Sequence, residues 1–372
     1  MSLQRLHHFL LHILDNFRER RRWQKTPHNT EPRVYYGQPR IPKRTEQLGG
    51  GLVKVQDLIT RYPNILERPN LCYLVSSALP PNPDLIIRHA HKAKAKIILN
   101  QNGVAYQGWH GPGWEETNKR LAQIYHAADF IIFQSKFCKT GAEIFLGTTK
   151  IPNIILHNPV DIDLFTPLNN KPTKKEIMLL VAGTHHFFYR VQTAVETLHN
   201  LSKQDFSFRL RIAGRCCWQH TESACHSEVK ALARTLHLEE KIECTGAYTQ
   251  EESIAIFQNA DILLHPQYND SCPRIVVEAM ACGLPVVYSA SGGIPELIPP
   301  SAGIGIPAPL DWESVHPPSP KRMAAAVAEI LSGYEVFSHE ARTHAAVHFS
   351  VKNWLDEHEH IFKTLLAAPK TH

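Results

Sequence analysis

From residue 33 to 134, short apolar runs alternate with stretches in which apolar positions recur at helical spacing. RVYYG (33–37), NLCYLVSSAL (71–80), KIILN (96–100) and DFIIFQ (129–134) predict strands. LVKVQDLITRY, DLIIRHAHKA and EETNKRLAQIYHAA predict helices, the first entered through Gly49, Gly50 and Gly51. Near-continuous apolar strands separated by amphipathic helices are the pattern of a parallel sheet covered on both faces.

At NIILHNPVDIDLFTPLNNKPTKKE the pattern gives way to Pro, Asn and Lys, which predicts a crossing between domains near residues 166–176. The alternation then restarts. EIMLLVAG, FRLRIAG, KIECTG, DILLHP and PVVYS predict strands; RVQTAVETLHNLS, ESACHSEVKALARTLH, ESIAIFQNA and RIVVEAMACG predict helices. A Pro-rich loop, the helix KRMAAAVAEILSG and a last helix, VKNWLDEHEHIFKTLL (351–366), follow. Pattern alone does not say on which domain that last helix packs. Two such units leave a cleft beyond the carboxyl ends of their strands, where open α/β sheets bind ligands.

Composition narrows the functional classes. The net charge of +5, from 40 basic and 35 acidic residues, is too mild for a dedicated nucleic-acid binder. The basic residues concentrate near the start, where LQRLHHFLLHILDNF has helical apolar spacing and RERRRWQK follows. Because the basic cluster follows the apolar stretch, and His and Asp interrupt it, this is not a secretory signal. Two readings stay open: a helix packed on its own protein, or one lying on an anionic membrane surface. The eight cysteines form no dense framework, so reduced thiols are expected. Cys216, Cys217, His220, Cys225 and His226 cluster without a familiar zinc spacing, and no metal site is expected there.

The stretch YNDSCPRIVVEAMACGLPVVYSASGGIPELI (268–298) carries the chemistry. Asp270 falls in the loop past the strand DILLHP, Pro273 suits a first helical turn, and Glu278 falls on the helix that Gly283 ends. A second strand, the turn Gly292-Gly293 and a helix predicted from Pro295 repeat the arrangement. Amides at two helix starts, residues 271–274 and 292–296, would then face one diphosphate.

This order of residues resembles the nucleotide-sugar site of retaining GT-B glycosyltransferases of glycosyltransferase family 4: an acidic residue, seven residues, Glu-Ala-Met-Ala-x-Gly-x-Pro-Val-Val, then Gly-Gly-x-x-Glu. LHNPVDIDLFTP (156–167) and the glycine run at 49–51 extend the resemblance to roughly residues 33–366. It implies two Rossmann-like α/β domains facing each other across a cleft, with the last helix crossing back to the first domain. The expected regions are a basic amphipathic helix (1–30), an N-terminal acceptor domain (31–168 plus 351–369) and a C-terminal donor domain (177–350).

The resemblance further implies transfer of a sugar from a nucleotide-diphosphate sugar to a hydroxyl of a glycan or lipid-linked acceptor, with retention and without a metal or other cofactor. Glu278 would hold the ribose, and Asp270, where relatives usually have Glu, would engage the sugar. Ser271, Cys272, Arg274, Gly292 and Gly293 would meet the sugar and phosphates beside Gly183 and Thr184. Relatives carry an Arg and a Lys to neutralise the leaving diphosphate; Thr184 stands at the first position and Arg190 near the second, with His185 or His186 as compensating cations if protonated. Asn102-Gly103 replaces the His-Gly of many relatives, and Asn100, Gln101, Tyr106, Trp109 and His110 would line the acceptor side with Gly49, Gly50 and Gly51. A cytoplasmic enzyme of cell-envelope polysaccharide synthesis is the resulting expectation, in peripheral contact with the inner face of the membrane if residues 1–26 lie on it. Two rivals are a non-catalytic nucleotide-sugar binder and a sugar-nucleotide hydrolase or epimerase on the same fold.

Overall fold

The computed structural model describes residues 3–27, 29–46, 50–168, 176–202 and 206–368, the side chains of 3–12 excepted. The first sheet runs β1 (Val34–Tyr35), β2 (Leu71–Val75), β3 (Lys96–Gln101), β4 (Phe130–Phe133) and β5 (Asn153–Ile155), in that order and all parallel. The second contains β6 (Glu176–Ala182), β7 (Ser207–Ala213), β8 (Ile242–Gly246), β9 (Ile262–His265), β10 (Val286–Ala290) and β11 (Gly303–Pro307), ordered 11-10-9-6-7-8 and again parallel. The strand order reverses between β6 and β9, which opens a crevice at their carboxyl ends. This is the GT-B arrangement of two parallel-sheet α/β domains.

Alternation along the strands explains the fold of the first domain. Cys72, Leu74, Ile97 and Leu99 face a core closed by Ile86, Leu121, Ile124 and Ala142 of the intervening helices. Leu71, Tyr73, Val75 and Ile98 face the other way, where Val55 and Leu58 of the helix Gly50–Leu58 cover only part of the sheet. The last helix, Val351–Ala367, completes that face with Trp354, Leu355, Ile361 and Phe362. Tyr73 Oη lies 3.0 Å from His358 Nε2, and Arg61 donates to Asp356 at 2.6 Å. The chain therefore crosses back from the second sheet to the first. The two crossings run together: the Val160 amide donates to the Phe349 carbonyl at 2.7 Å and the Val351 amide to the Val160 carbonyl at 2.9 Å.

Several elements differ from the sequence pattern. The helices Lys136–Phe145 and Tyr334–His348 and the strands β5 and β11 lie in stretches with no assigned element. The helix expected from Pro295 is a three-residue 3₁₀ turn, Ile294–Glu296. Pro299 and Pro300 explain this, because proline lacks an amide donor and disfavours helical geometry in the residue before it. Among the described residues no helix is long and apolar enough to cross a membrane.

Candidate active site

A cleft of about 870 Å³ opens between the sheets. On the second-sheet side, Gly183 and Thr184 leave β6, Gly214 and Arg215 leave β7, and residues 266–271 leave β9. The first two loops touch backbone to backbone: a Cβ at Gly214 would sit 2.0 Å from the Gly183 carbonyl oxygen. Only glycine permits that approach, and with φ +109 Gly214 is also in the left-handed region.

The loop at 269–271 is held from beneath. The Asn269 amide donates to Ser291 Oγ at 2.9 Å and the Gly293 amide to the Asp270 carbonyl at 2.8 Å. A Cβ at Gly292 would lie 2.4 Å from the Asp270 carbonyl oxygen, and one at Gly293 would lie 2.0 Å from that of Ser271. These glycines therefore brace the loop and do not line the cleft, contrary to the role expected of them. With only a 3₁₀ turn behind them, the second helix start is also absent, leaving the helix Arg274–Ala281 as the one that begins at the cleft from this stretch.

Asp270, Ser271, Cys272, Arg274, Glu278, Gly183, Thr184 and Arg190 all line the cleft, as do Gly50, Gly51, Asn102 and Gly103 opposite. Gly49 lies outside the described residues. Asn100 and Gln101 are buried beneath the surface, so of that strand end only Asn102 reaches the cleft, alongside Tyr106, Trp109 and His110. Trp109 meets Phe187 edge-on at 5.3 Å between ring centroids, joining the two walls.

Glu278 Oε1 accepts from Arg274 Nε at 2.8 Å and from Gln250 Nε2 at 3.0 Å, while its Oε2 has no partner among the described residues. Burial pushes its carboxyl above the usual range, against the pull of Arg274. Arg274 also donates to Asp57 of the first domain at 2.6 Å, and Arg44 meets the other oxygen of Asp57 at 2.8 Å. Burial disfavours the Arg274 charge, but Asp57 and Glu278 prevail and raise the guanidinium above its ordinary value. The triad Glu278–Arg274–Asp57 thus spans the cleft.

Asp270 is oriented by a strand-end histidine. His265 is fully buried at the end of β9, and its Nε2 donates to Asp270 Oδ2 at 3.1 Å. Burial holds this imidazole below its ordinary value despite the carboxylate, so it is a neutral donor. Arg190 is buried too, its guanidinium held by the carbonyls of Ala182 and Thr184. The histidine pair does not replace the cation missing at Thr184. Burial and then Arg190 depress both His185 and His186, which keeps them neutral.

Three residues that the sequence analysis passed over belong to this cleft or its support. Arg215 is exposed, lines the cleft and has no ion-pair partner among the described residues. It follows a strand and a glycine just as Thr184 does, a signal present in IAGR. Lys54, buried at the cleft wall, donates to Asn100 Oδ1 at 2.9 Å and to Asn102 Oδ1 at 3.2 Å, and burial lowers its pKa to about 7. His265 is the third; nothing in DILLHP distinguished it from a strand residue. Among the described residues no group of His, Cys, Asp and Glu is placed to hold a metal ion, and Cys216 and Cys225 pack into the apolar core.

Residues 164–344, which carry Asp270, Glu278, Arg190 and Arg215, match the family described as Glycosyl transferases group 1. This segment, just under half of the chain, is similar to that family. Curated relatives include the D-inositol 3-phosphate glycosyltransferase of Corynebacterium aurimucosum, 30% identical over 38% of this chain and 36% of that protein. The putative colanic acid biosynthesis glycosyltransferase WcaL of Escherichia coli is 28% identical over 37% and 34%. The matches thus span about a third of these relatives' length. Solved structures share the whole architecture. A glycosyltransferase from Rickettsia africae superposes with TM-score 0.65 at 18% identity over 85% of this chain and 81% of its own. Anabaena Alr3699/HepE, solved in complex with UDP-glucose, gives 0.63 at 16% over 84% and 82%.

Proposed function

We propose that this protein transfers a sugar from a nucleotide-diphosphate sugar to a hydroxyl of a glycan or lipid-linked acceptor. The observation that carries the reading is the placement of Glu278, Asp270, Arg190 and Arg215 in one cleft, at the strand-order reversal of a domain similar to the group 1 family. The free Oε2 of Glu278 suits a ribose hydroxyl. Asp270, held by His265, suits hydroxyls of the sugar. The amides at the start of the helix Arg274–Ala281 and the two arginines suit a diphosphate.

In the proposed reaction the bond between the anomeric carbon and the phosphate oxygen breaks, and its electron pair leaves on the diphosphate. The acceptor oxygen bonds to the same carbon from the same face, and its proton passes to the departing phosphate. Configuration is retained and no protein base is needed, which accords with Asn102 where many relatives have His. Arginines and backbone amides meet the developing charge, so the step is proposed to proceed without a metal, and turnover in excess chelator should match the untreated rate. The first-sheet wall, with Asn102, Tyr106 and Trp109, takes the acceptor side.

Thermal-shift measurements against UDP-, GDP- and ADP-sugars test this, beginning with UDP-glucose because HepE is solved with it. A stabilising donor is expected, and Glu278→Gln should weaken it about 10–100-fold, the worth of hydrogen bonds to a charged group. Failure of every donor to stabilise the protein would overturn the reading. Release of free sugar without an acceptor would favour hydrolysis instead.

A further inference from the structure

From residue 13 on, where its side chains are described, the helix Leu3–Arg22 keeps its apolar positions exposed. The described side chains that meet the protein are polar: Asp15 accepts from Asn82 at 2.9 Å, Asn16 Oδ1 meets His89 Nε2 at 2.7 Å, and Arg22 donates to the Leu66 carbonyl at 2.8 Å. Glu19 is buried and accepts from Trp23 at 3.0 Å. The opposite side carries Ile13, Leu14 and Phe17, exposed by 47%, 52% and 67%. At about 100° per residue these fall on one face. A helix that spends its polar side on its own protein and leaves an apolar stripe in solvent needs an occupant for the stripe.

Charge identifies that occupant. Arg18, Arg20 and Arg21 are exposed at the end of the helix, and Arg20 and Arg21 have no ion-pair partner among the described residues. The neighbouring helix Pro83–Lys92 adds exposed Arg88 and Lys92, close enough with Arg20 to act together on His89. A second copy of the chain would bring these cations against their own kind. An anionic lipid surface satisfies both the apolar stripe and the arginines.

We propose that the helix Leu3–Arg22 is an interfacial anchor, which lays Ile13, Leu14 and Phe17 into the headgroup boundary of an anionic bilayer while Arg18, Arg20 and Arg21 meet lipid phosphates. The polar face stays docked on the first domain, so the helix fixes the orientation of the whole molecule on the surface. The inference does not depend on the chemistry proposed for the cleft.

Co-sedimentation of the full chain with vesicles tests it, using phosphatidylcholine alone and phosphatidylcholine with phosphatidylglycerol in equal parts. Partition onto the anionic vesicles should exceed that onto neutral ones about tenfold or more, and added salt should reduce it. The double variant Ile13→Asn, Phe17→Asn should lose about tenfold or more of that partition. Arg20→Gln and Arg21→Gln should cost about fivefold each. All four side chains are exposed, so the thermal unfolding midpoint should be unchanged. Equal partition onto both vesicles, or undiminished partition of the Asn variant, would overturn the proposal. So would a dimer in light scattering that the Asn variant abolishes while the wild type ignores vesicles, which would assign the stripe to a second copy.

Discussion

The two walls of the cleft are assembled in different ways. On the second-sheet side, Asp270, Ser271, Cys272, Arg274 and Glu278 come from one continuous stretch, and one loop-to-helix turn presents them all. On the first-sheet side, Gly51, Lys54, Ser77 and Asn102 come from three separated segments, and tertiary hydrogen bonds hold them in place. A wall that is a local motif keeps its geometry wherever the motif folds. A wall gathered from distant segments exists only once the domain has packed. The Arg274–Asp57 pair joins the two and is the point at which the comparison can be broken most severely.

Arg274→Ala should have the largest effect. It removes the cation between two buried carboxylates, Glu278 and Asp57, and leaves both without their main partner. Breaking a buried ion pair from one side costs about 3–5 kcal/mol. Equilibrium unfolding in urea should show a loss of that size, and addition of the double variant Arg274→Ala, Asp57→Asn should recover part of it. If the Ala variant unfolds at the wild-type midpoint, the seam does not hold the walls together.

That seam also marks the limit of what the sequence made legible. The alternation of strands and helices revealed both sheets, and the continuous motif at 268–298 located Glu278 and Asp270, because local order in sequence is local order in space. Arg274 was placed beside the phosphates, yet its partner Asp57 lies 217 residues away and no spacing connects them. Lys54 reads as an ordinary helix cation until the packing shows Asn100 and Asn102 around its amine. The glycines at 292–293 belong to the cleft only if a helix starts behind them and turns its amides to a diphosphate. What approaches them is the backbone of Asp270 and Ser271, not a ligand. Helix start and 3₁₀ turn differ here only through two prolines further along.

Arg215→Ala sharpens the comparison on the second-sheet side. Arg190 is already engaged by two carbonyls, whereas Arg215 is free to meet a ligand. Its loss should weaken a bound nucleoside diphosphate about 10–100-fold, as expected for charge-assisted hydrogen bonds, and leave the nucleoside monophosphate nearly unchanged. Calorimetric titration of both nucleotides reads the ratio directly. Parallel losses for the two would move Arg215 away from the diphosphate, and failure of the wild type to bind either would instead count against the nucleotide-sugar reading.

The smallest expected effect lies in the first-sheet wall and concerns pH. Burial lowers the Lys54 pKa from 10.5 to about 7, so between those values the unfolded chain binds a proton at this amine that the folded chain does not. The contribution of this amine to stability must then rise with pH across that window, by up to about 1.4 kcal/mol per pH unit, and it is flat below it, where both states are protonated. The buried thiols near Lys54 act with the opposite sign. Burial raises Cys138 from 9.0 to about 11 and Cys272 further, so the unfolded chain releases these protons first, and because wild type and variant share both thiols this contribution cancels in their difference. Lys54→Met removes the titrating amine, and the difference in urea stability between wild type and variant, followed from about pH 7 towards pH 9, should change with that slope. A constant difference would mean that the amine keeps an ordinary pKa and that the first-sheet wall carries a permanent charge. The contrast with the second-sheet wall would then vanish, since the cations there are arginines that stay charged throughout.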